Sequence, residues 1–180
     1  MSPAPLVLPR RGGLSRAGAL LVTTFGLGYL RPASGTWGSL PSVALAAALM
    51  AAGAGPAGSP WVYNLALAAV AVFFTLACAA YGDAAEARYL RKDPSNVVAD
   101  ETAGQAVALL FIPAHAAATP GRAAVALLAA FLLFRLLDIL KPFPAGRLQR
   151  VAGGWGIVLD DLFAGVYALA GVQLITRLLM

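Results

Sequence analysis

The sequence predicts an all-α fold: a polytopic membrane bundle of about five hydrophobic helices, with an N-terminal interfacial or re-entrant segment. The first observation is composition, because the 180 residues are 60% hydrophobic and only 12% charged. A typical soluble domain is about 45–50% apolar and about 25% charged. The second is distribution, because the few charges are clustered and long uncharged runs separate the clusters. This pattern argues against a soluble enzyme and excludes intrinsic disorder.

The length corresponds to one domain. Residues 1–16 are predicted to form a basic tail, and residues 17–180 a single membrane-embedded domain. Residues 17–30 follow two arginines and imitate a secretory signal, but no good small-residue cleavage site comes after them. Gly26 and Gly28 interrupt this run. We therefore expect it to be an interfacial or re-entrant element that is retained.

Five apolar segments follow. The clearest covers residues 61–81, whose 21 uncharged residues would make a helix of about 31 Å, long enough to cross a bilayer. Residues 121–137 and 156–179 are two further candidate spans. Residues 40–54 and 102–118 are shorter and rich in alanine, so each is either a tilted span or a helix buried among others.

The turns between these segments differ in charge. Turns 53–60 and 113–121 carry no acid, whereas the turns at the opposite ends carry most of the arginines and lysines. The positive-inside rule makes that second face cytoplasmic. All eight acids lie between Asp83 and Asp161, and threading five helices in order places each of them at or near the cytoplasmic face.

Two kinds of site can be excluded by residue counts. A single cysteine, Cys78, cannot form an internal disulfide framework, and with a single histidine, His115, zinc would lack its usual ligands. A metal would therefore be a hard ion bound by oxygen. The net charge of +5 reflects the positive-inside bias, since no basic stripe alternates with aromatics as nucleic-acid binding would require.

The first polar motif is Gly35-Thr36-Trp37-Gly38-Ser39, ahead of a helix expected to begin near Leu40. Glycines allow close approach to an anion, and hydroxyl groups and a helix N-terminus add donors. The alternative is a plain turn, with Ser39 or Ser42 as the N-cap.

The second motif contains Asp100 and Glu101, which open an apolar helix. The helix dipole favours acids there, but two adjacent carboxylates at a membrane face are not fully explained by it. Asp83 and Glu86 would share one helix face. Asp93 lies in an Asp-Pro turn, and we expect it to lie outside the site.

The remaining motifs place charges inside apolar helices. Arg135, Asp138 and Lys141 form one group, in which Asp138 and Lys141 could simply pair at i, i+3. Asp160 and Asp161 lie together near the start of the last helix. Ionisable groups in such segments are costly and usually functional.

Carboxylates from three helices, with cations nearby, suggest a Mg²⁺ site that faces a phosphate. The residues thus predict a membrane enzyme acting on a phosphorylated lipid or polyprenyl substrate. The candidate catalytic residues are Asp138, Lys141, Asp160 and Asp161. The candidate metal ligands are Asp100, Glu101, Asp160 and Asp161. The candidate phosphate-binding residues are Gly35, Thr36, Gly38, Ser39, Arg135 and Lys141.

These motifs, in order over roughly residues 24–172, resemble those of the phosphatidylglycerophosphatase A family. The matching blocks are Gly35 to Leu40, Asp93 to Gly104, Phe134 to Pro144 and Gly153 to Gly165. The resemblance implies Mg²⁺-dependent hydrolysis of phosphatidylglycerophosphate to phosphatidylglycerol and phosphate. It also implies a phosphatase domain in the bacterial inner membrane, acting in phospholipid biosynthesis.

Two alternatives remain. A CDP-alcohol phosphatidyltransferase also binds metal at a membrane face, but its signature is met only in part, since Ala84 and Val97 stand at its glycine positions. A non-enzymatic bundle would need its acids nearer mid-membrane. The sequence leaves open a covalent nucleophile, although direct attack by metal-activated water is the default because no activated nucleophile is visible. The oligomeric state is undetermined.

Overall fold

The structure is a computed structural model that describes residues 13–148 and 151–179. Every regular element in those ranges is helical, which confirms the all-α prediction. The α-helices are α1 (Arg16–Val22), α2 (Ser34–Ala51), α3 (Pro60–Tyr89), α4 (Ala99–Ala108), α5 (Pro120–Leu140), α6 (Ala145–Leu148) and α7 (Gly154–Leu179). Short 3-10 turns occupy Leu27–Tyr29 and Ala114–Ala117. Most of the predicted basic tail, with Arg10 and Arg11, lies outside the described residues.

Three helices are long and apolar enough to cross a membrane: α3, α5 and α7, with 30, 21 and 26 residues. Only about a third or less of their most apolar windows is buried inside the bundle. Their outward faces carry exposed leucines such as Leu65, Leu132 and Leu174, and lipid is the medium that such surfaces favour. The chain is therefore a membrane helix bundle, as predicted.

Helix α4 lies at the centre of the bundle, with eight of its ten residues buried. It is too short to cross a bilayer by itself, so the segment predicted at residues 102–118 is the buried helix of the two alternatives, followed by a loop. Helix and loop together return to the level of the start of α3, where the Tyr63 hydroxyl donates to the Leu109 carbonyl at 3.2 Å. Glycines allow its close contact with α7. A Cβ added to Gly165 would lie 3.1 Å from the Val107 Cβ and would also run into the Gly104 carbonyl.

Helix α2 begins at Ser34, so the prediction of a helix starting near Leu40 was wrong. The glycine-rich run is helical because it packs tightly on α4. A Cβ at Gly38 would lie 2.6 Å from the Val98 Cβ, and the Thr102 hydroxyl donates to the Gly38 carbonyl at 2.7 Å. Ser42 donates in turn to the Thr102 carbonyl at 2.7 Å, so this serine is no N-cap.

Helix α3 continues past the predicted end at residue 81 and positions the start of α7. Asp83 Oδ1 accepts a hydrogen bond from the Gly154 backbone N–H at 3.0 Å. A carboxylate at a helix N-terminus satisfies a free donor and interacts favourably with the helix dipole. The N-terminal helix α1 has only seven residues. The backbone N–H of Val98, the residue before α4, donates a hydrogen bond to the Val22 carbonyl at the end of α1 at 2.9 Å.

Candidate active site

Three carboxylates meet where the first turn of α4 lies against α7. Asp100 and Glu101 belong to that turn, and Asp161 lies two turns into α7. One oxygen from each side chain lies within 4.8 Å of the other two. We call Asp100, Glu101 and Asp161 the carboxylate trio. The sequence predicted all three as metal ligands.

The trio has the properties of a cation site. Asp100 and Asp161 are buried, and each trio member has a buried oxygen without a hydrogen-bond partner among the described residues. Burial raises the pKa of Glu101 to about 7, and burial and the Glu101 charge raise the pKa of Asp100 well above its ordinary value. Crowding of three buried acids disfavours their ionised form, and the nearby Arg135 charge offsets this only in part at Glu101. A divalent cation bound by oxygen would supply the remaining positive charge, so these residues fit such an ion.

Cationic side chains lie beside the trio. On α5, Arg135 Nη1 is 2.9 Å from Asp138 Oδ2. Lys141, the residue that ends α5, donates from Nζ to Asp160 Oδ2 and lies 4.0 Å from Asp138 Oδ1. The principal partner of Lys141 is therefore Asp160 on α7 rather than Asp138, with which the i, i+3 spacing had suggested a pair.

The two adjacent aspartates of α7 thus have different environments. Asp161 belongs to the trio, whereas Asp160 contacts Lys141 through Oδ2 while its Oδ1 is buried and has no partner in the described chain. Burial lowers the pKa of Lys141, but the hydrogen bond and charge of Asp160 outweigh it and leave the pKa raised. Lys141 is therefore protonated at neutral pH, as its predicted role as a phosphate ligand requires.

Gly35 joins the trio to the cations. A Cβ at this position would lie 2.8 Å from Arg135 Nη2 and would also run into Glu101 Oε1. The first turn of α2 therefore reaches the gap between Glu101 and Arg135 only because residue 35 lacks a side chain. Since the free N–H groups of a helix start favour anions, this is a suitable place for a phosphate oxygen.

The other predicted phosphate ligands lie differently. Gly38 packs on Val98. Ser39 is fully buried, and its hydroxyl donates to the Gly35 carbonyl at 2.9 Å. Thr36 is half-buried one residue beyond Gly35. Contact of these three residues with substrate stays a prediction. Among the predicted phosphate ligands of α2, Gly35 is the one that lies against Glu101 and Arg135.

Two residues that the sequence did not assign to the site are close to it. Burial raises the pKa of Asp93, and the charges of Lys141, Asp160 and Asp138 also act on this carboxyl. Asp93 was expected outside the site, because an Asp-Pro turn gave no sign of what packs around it. Gln105 is fully buried on α4, one turn after Glu101. The sequence could have indicated Gln105, because it is a polar residue in an apolar helix, four residues after the candidate ligand Glu101.

The site opens beside an apolar surface. Ile139 and Leu140, next to Lys141, are 70% and 65% exposed. Phe143 is 71% exposed and Trp155, near the start of α7, is 49% exposed. Apolar and aromatic side chains around polar groups are typical of a membrane interface. A lipid could present its headgroup to the acids and cations while its acyl chains remain in this apolar surface.

The chain is similar to several known proteins. The family model for phosphatidylglycerophosphatase A matches residues 20–176. A phosphatidylglycerophosphatase A of Haemophilus influenzae is 35% identical, over 83% of this chain and 82% of its own. A Bacteroides thetaiotaomicron protein with the provisional name phosphatidylinositol-3-phosphatase is 35% identical, over 83% of this chain and 87% of its own. The Escherichia coli phosphatidylglycerophosphatase A is 40% identical over 44% of this chain and 42% of its own.

No solved structure shows a significant match to the chain. The family model, in contrast, matches from within α1 to within α7. The matched range includes the whole trio, Arg135 and Lys141. A match of this extent, joined to relatives that share about a third of their residues across most of the chain, shows the family. The chain belongs to the phosphatidylglycerophosphatase A family.

Proposed function

We propose that this protein is a Mg²⁺-dependent phosphatase that hydrolyses phosphatidylglycerophosphate to phosphatidylglycerol and phosphate in phospholipid biosynthesis. The observation that carries the proposal is the placement of the carboxylate trio beside Arg135 and Lys141 at one end of the membrane helices. Family membership supplies the reaction class and favours hydrolysis over the phosphatidyltransferase and non-enzymatic alternatives.

The trio would hold the metal. When bound, Mg²⁺ would supply positive charge that stabilises the phosphoryl oxygens while phosphorus exchanges the glycerol oxygen for the water oxygen. The compact cluster of three carboxylates suits a small, hard cation that also keeps positions for a substrate phosphate. Asp160, which the sequence also proposed as a ligand, is engaged with Lys141, and we assign its role to the phosphate side of the site.

The cations would hold the phosphate. Arg135 and Lys141 carry the charge that a phosphoryl group needs, and the start of α2 at Gly35 adds backbone donors. Asp138 contacts Arg135 and lies within 4.0 Å of Lys141, so it keeps both cations in place. Asp160 Oδ1 has no hydrogen-bond partner among the described residues, and we assign it the role of accepting a proton from the attacking water.

The reaction itself needs little else. A bond forms between the water oxygen and phosphorus, and the bond from phosphorus to the glycerol oxygen breaks. A carboxylate accepts the proton that water loses and then gives a proton to the glycerol oxygen, which leaves as a hydroxyl group. We place this chemistry at the cytoplasmic face of the bacterial inner membrane, because arginines and lysines are concentrated in the turns near the acids.

A second substrate is suggested by the Bacteroides thetaiotaomicron relative, whose provisional name refers to phosphatidylinositol 3-phosphate. In both lipids a phosphate monoester is attached to the polar headgroup of a diacylglycerol phospholipid. The trio, Arg135 and Lys141 would bind that phosphate in the same way. Phosphate release by the purified protein in mixed micelles should be measured for both lipids and for phosphatidic acid. We expect the highest kcat/KM with phosphatidylglycerophosphate, and preference for either other lipid would overturn the assignment of substrate.

The same assay tests the metal. Full activity in excess chelator would remove Mg²⁺ from the proposal, whereas loss in chelator with recovery on Mg²⁺ addition supports it. Ca²⁺ should restore little, because it takes more ligands at longer distances than a compact three-carboxylate site offers.

A further inference from the structure

Gln105 is a buried amide for which the reaction as described has no use. Its side chain is fully buried, and neither Nε2 nor Oε1 has a hydrogen-bond partner among the described residues. Burying an unpaired amide is costly, and buried polar side chains in proteins are normally hydrogen-bonded. A residue of this kind therefore indicates a partner that is present when the site functions.

The register of α2 against α4 shows where this amide lies. Gly38 contacts Val98, and Ser42 donates to the Thr102 carbonyl, so both helices advance together in the same direction. Gly35 lies against Glu101 in this arrangement. Gln105 lies one turn beyond Glu101 on α4 and is fully buried. Gln105 follows Thr102 by three residues and Glu101 by four, so it lies on the same side of α4 as both of them.

Glu101 is the group that Gln105 can reach. Residues at i and i+4 of a helix lie on one face with their Cβ atoms about 5–6 Å apart. Glu101 Oε1 points toward Gly35 and the Arg135 guanidinium, whereas Oε2 is buried and has no partner in the described chain. An amide N–H is a donor and a carboxylate oxygen is an acceptor, so the two free groups are chemically complementary.

We propose that Gln105 is a positioning residue for Glu101: its Nε2–H donates through one buried water to the Glu101 carboxylate and fixes that carboxylate in its cation-binding orientation. The inference rests on the proposed function, because it assumes that the trio holds a cation. Groups that orient metal-binding side chains typically change metal affinity or activity by about 10–100-fold when they are removed.

The first test measures Mn²⁺ binding by electron paramagnetic resonance, with Mn²⁺ as a probe for the cation site of the full-length protein in detergent. Gln105→Met keeps the length of the side chain and removes its amide. We expect it to weaken Mn²⁺ binding about 10–100-fold and to lower kcat more than it changes KM. The matched control is Gln173→Met, since Gln173 is half-buried on α7, far from the trio in the chain, and its amide has a partner, the Phe111 carbonyl at 2.6 Å. This control should bind Mn²⁺ as the wild type does.

A double-mutant cycle separates positioning from simple packing. If Gln105 acts through Glu101, Gln105→Met should lose most of its effect on Mn²⁺ affinity in a Glu101→Ala background. It should keep that effect in an Asp161→Ala background. Equal effects in both backgrounds, or wild-type affinity in the single variant, would overturn the inference.

The third measurement uses the wild-type chain, so it does not depend on how a Gln105 variant folds. Nuclear magnetic resonance can follow the side-chain amides of the three glutamines of the sequence, Gln105, Gln149 and Gln173, while Mg²⁺ is added. The Gln105 signal, assigned by elimination, should shift and its protons should exchange more slowly with water. An unchanged Gln105 signal in protein that binds Mg²⁺ would overturn the inference alone. Protein that binds neither Mg²⁺ nor Mn²⁺ would instead overturn the proposed function on which it rests.

Discussion

Lys141 at the end of α5 donates a hydrogen bond to Asp160 of α7, which lies 19 residues further along the chain. The contact fixes a cation that is 27% exposed against an acid that is 3% exposed. It also assigns different neighbours to the two adjacent aspartates of α7, since Asp161 lies in the trio. The phosphate side and the metal side of the site are therefore joined by consecutive residues of one helix.

Replacing Lys141 should impair binding and catalysis together. Lys141→Ala removes a charge that would meet the phosphate in both the ground state and the transition state, so KM should rise and kcat should fall. We expect a decrease of about 10²–10³-fold in kcat, the range found when one transition-state donor is lost. Steady-state kinetics with phosphatidylglycerophosphate measure both quantities. Arg177→Ala, near the exposed end of α7, is the control and should retain wild-type kinetics.

Gly35→Ala should inactivate the enzyme with little effect on folding. The added methyl group would lie 2.8 and 2.9 Å from two nitrogens of Arg135 and would also press against Glu101. It would therefore displace the Arg135 guanidinium and the Glu101 carboxylate together. Gly121→Ala is the matched control, because no atom lies within 4 Å of a Cβ there. Phosphate release and thermal unfolding should be measured for both. Normal turnover by Gly35→Ala would show that the start of α2 is not part of the site.

Neutralising the trio should abolish the stabilising effect of the cation. Mg²⁺ at 100 times its Kd should stabilise the wild type by about 2.7 kcal/mol, because it binds the folded state. Asp100→Asn, Glu101→Gln and Asp161→Asn should each lose most of this increase, and without metal they should be at least as stable as the wild type since they relieve repulsion between buried acids. Thermal unfolding with and without Mg²⁺ provides the measurement. Glu86→Gln, which keeps an acceptor for the Asp93 N–H, should respond to Mg²⁺ normally.

Cysteine labelling should place the turns on two sides of the membrane. Cys78, the single native cysteine, is buried and should react slowly. Cysteines that replace the exposed Ala57 and Ala118 should label from the outer face, and those that replace Lys92 and Arg147 only from the cytoplasm. The same sidedness for positions 92 and 118 would contradict a site at the cytoplasmic face.

Much of the fold could be predicted because membrane helices are recognisable from composition. Residues 61–81, 121–137 and 156–179 all lie within α3, α5 and α7 or coincide with them closely. The start of α2 could not be predicted, because glycines and serines are typical of loops and only packing on Val98 makes Gly38 favourable in a helix. Local sequence carries no information about such a contact.

The grouping of the candidate site residues could be predicted in part. Asp100, Glu101 and Asp161 could be proposed because acids in apolar helices need a reason, and the structure brings them together. The partner of Lys141 could not be predicted, because the i, i+3 spacing pointed to Asp138, whereas tertiary packing brings Asp160 closer to Lys141. The neighbours of Asp93 and Gln105 likewise depend on contacts between distant segments.

The turnover of Asp160→Ala and Asp161→Ala, per folded molecule with phosphatidylglycerophosphate and saturating Mg²⁺, tests the central claim most directly. Asp160→Ala removes the partner of Lys141, and Asp161→Ala removes a member of the trio. The account predicts that each variant inserts and folds, and that each loses at least about 10²-fold in kcat. Near-normal turnover by both variants would contradict the proposed site.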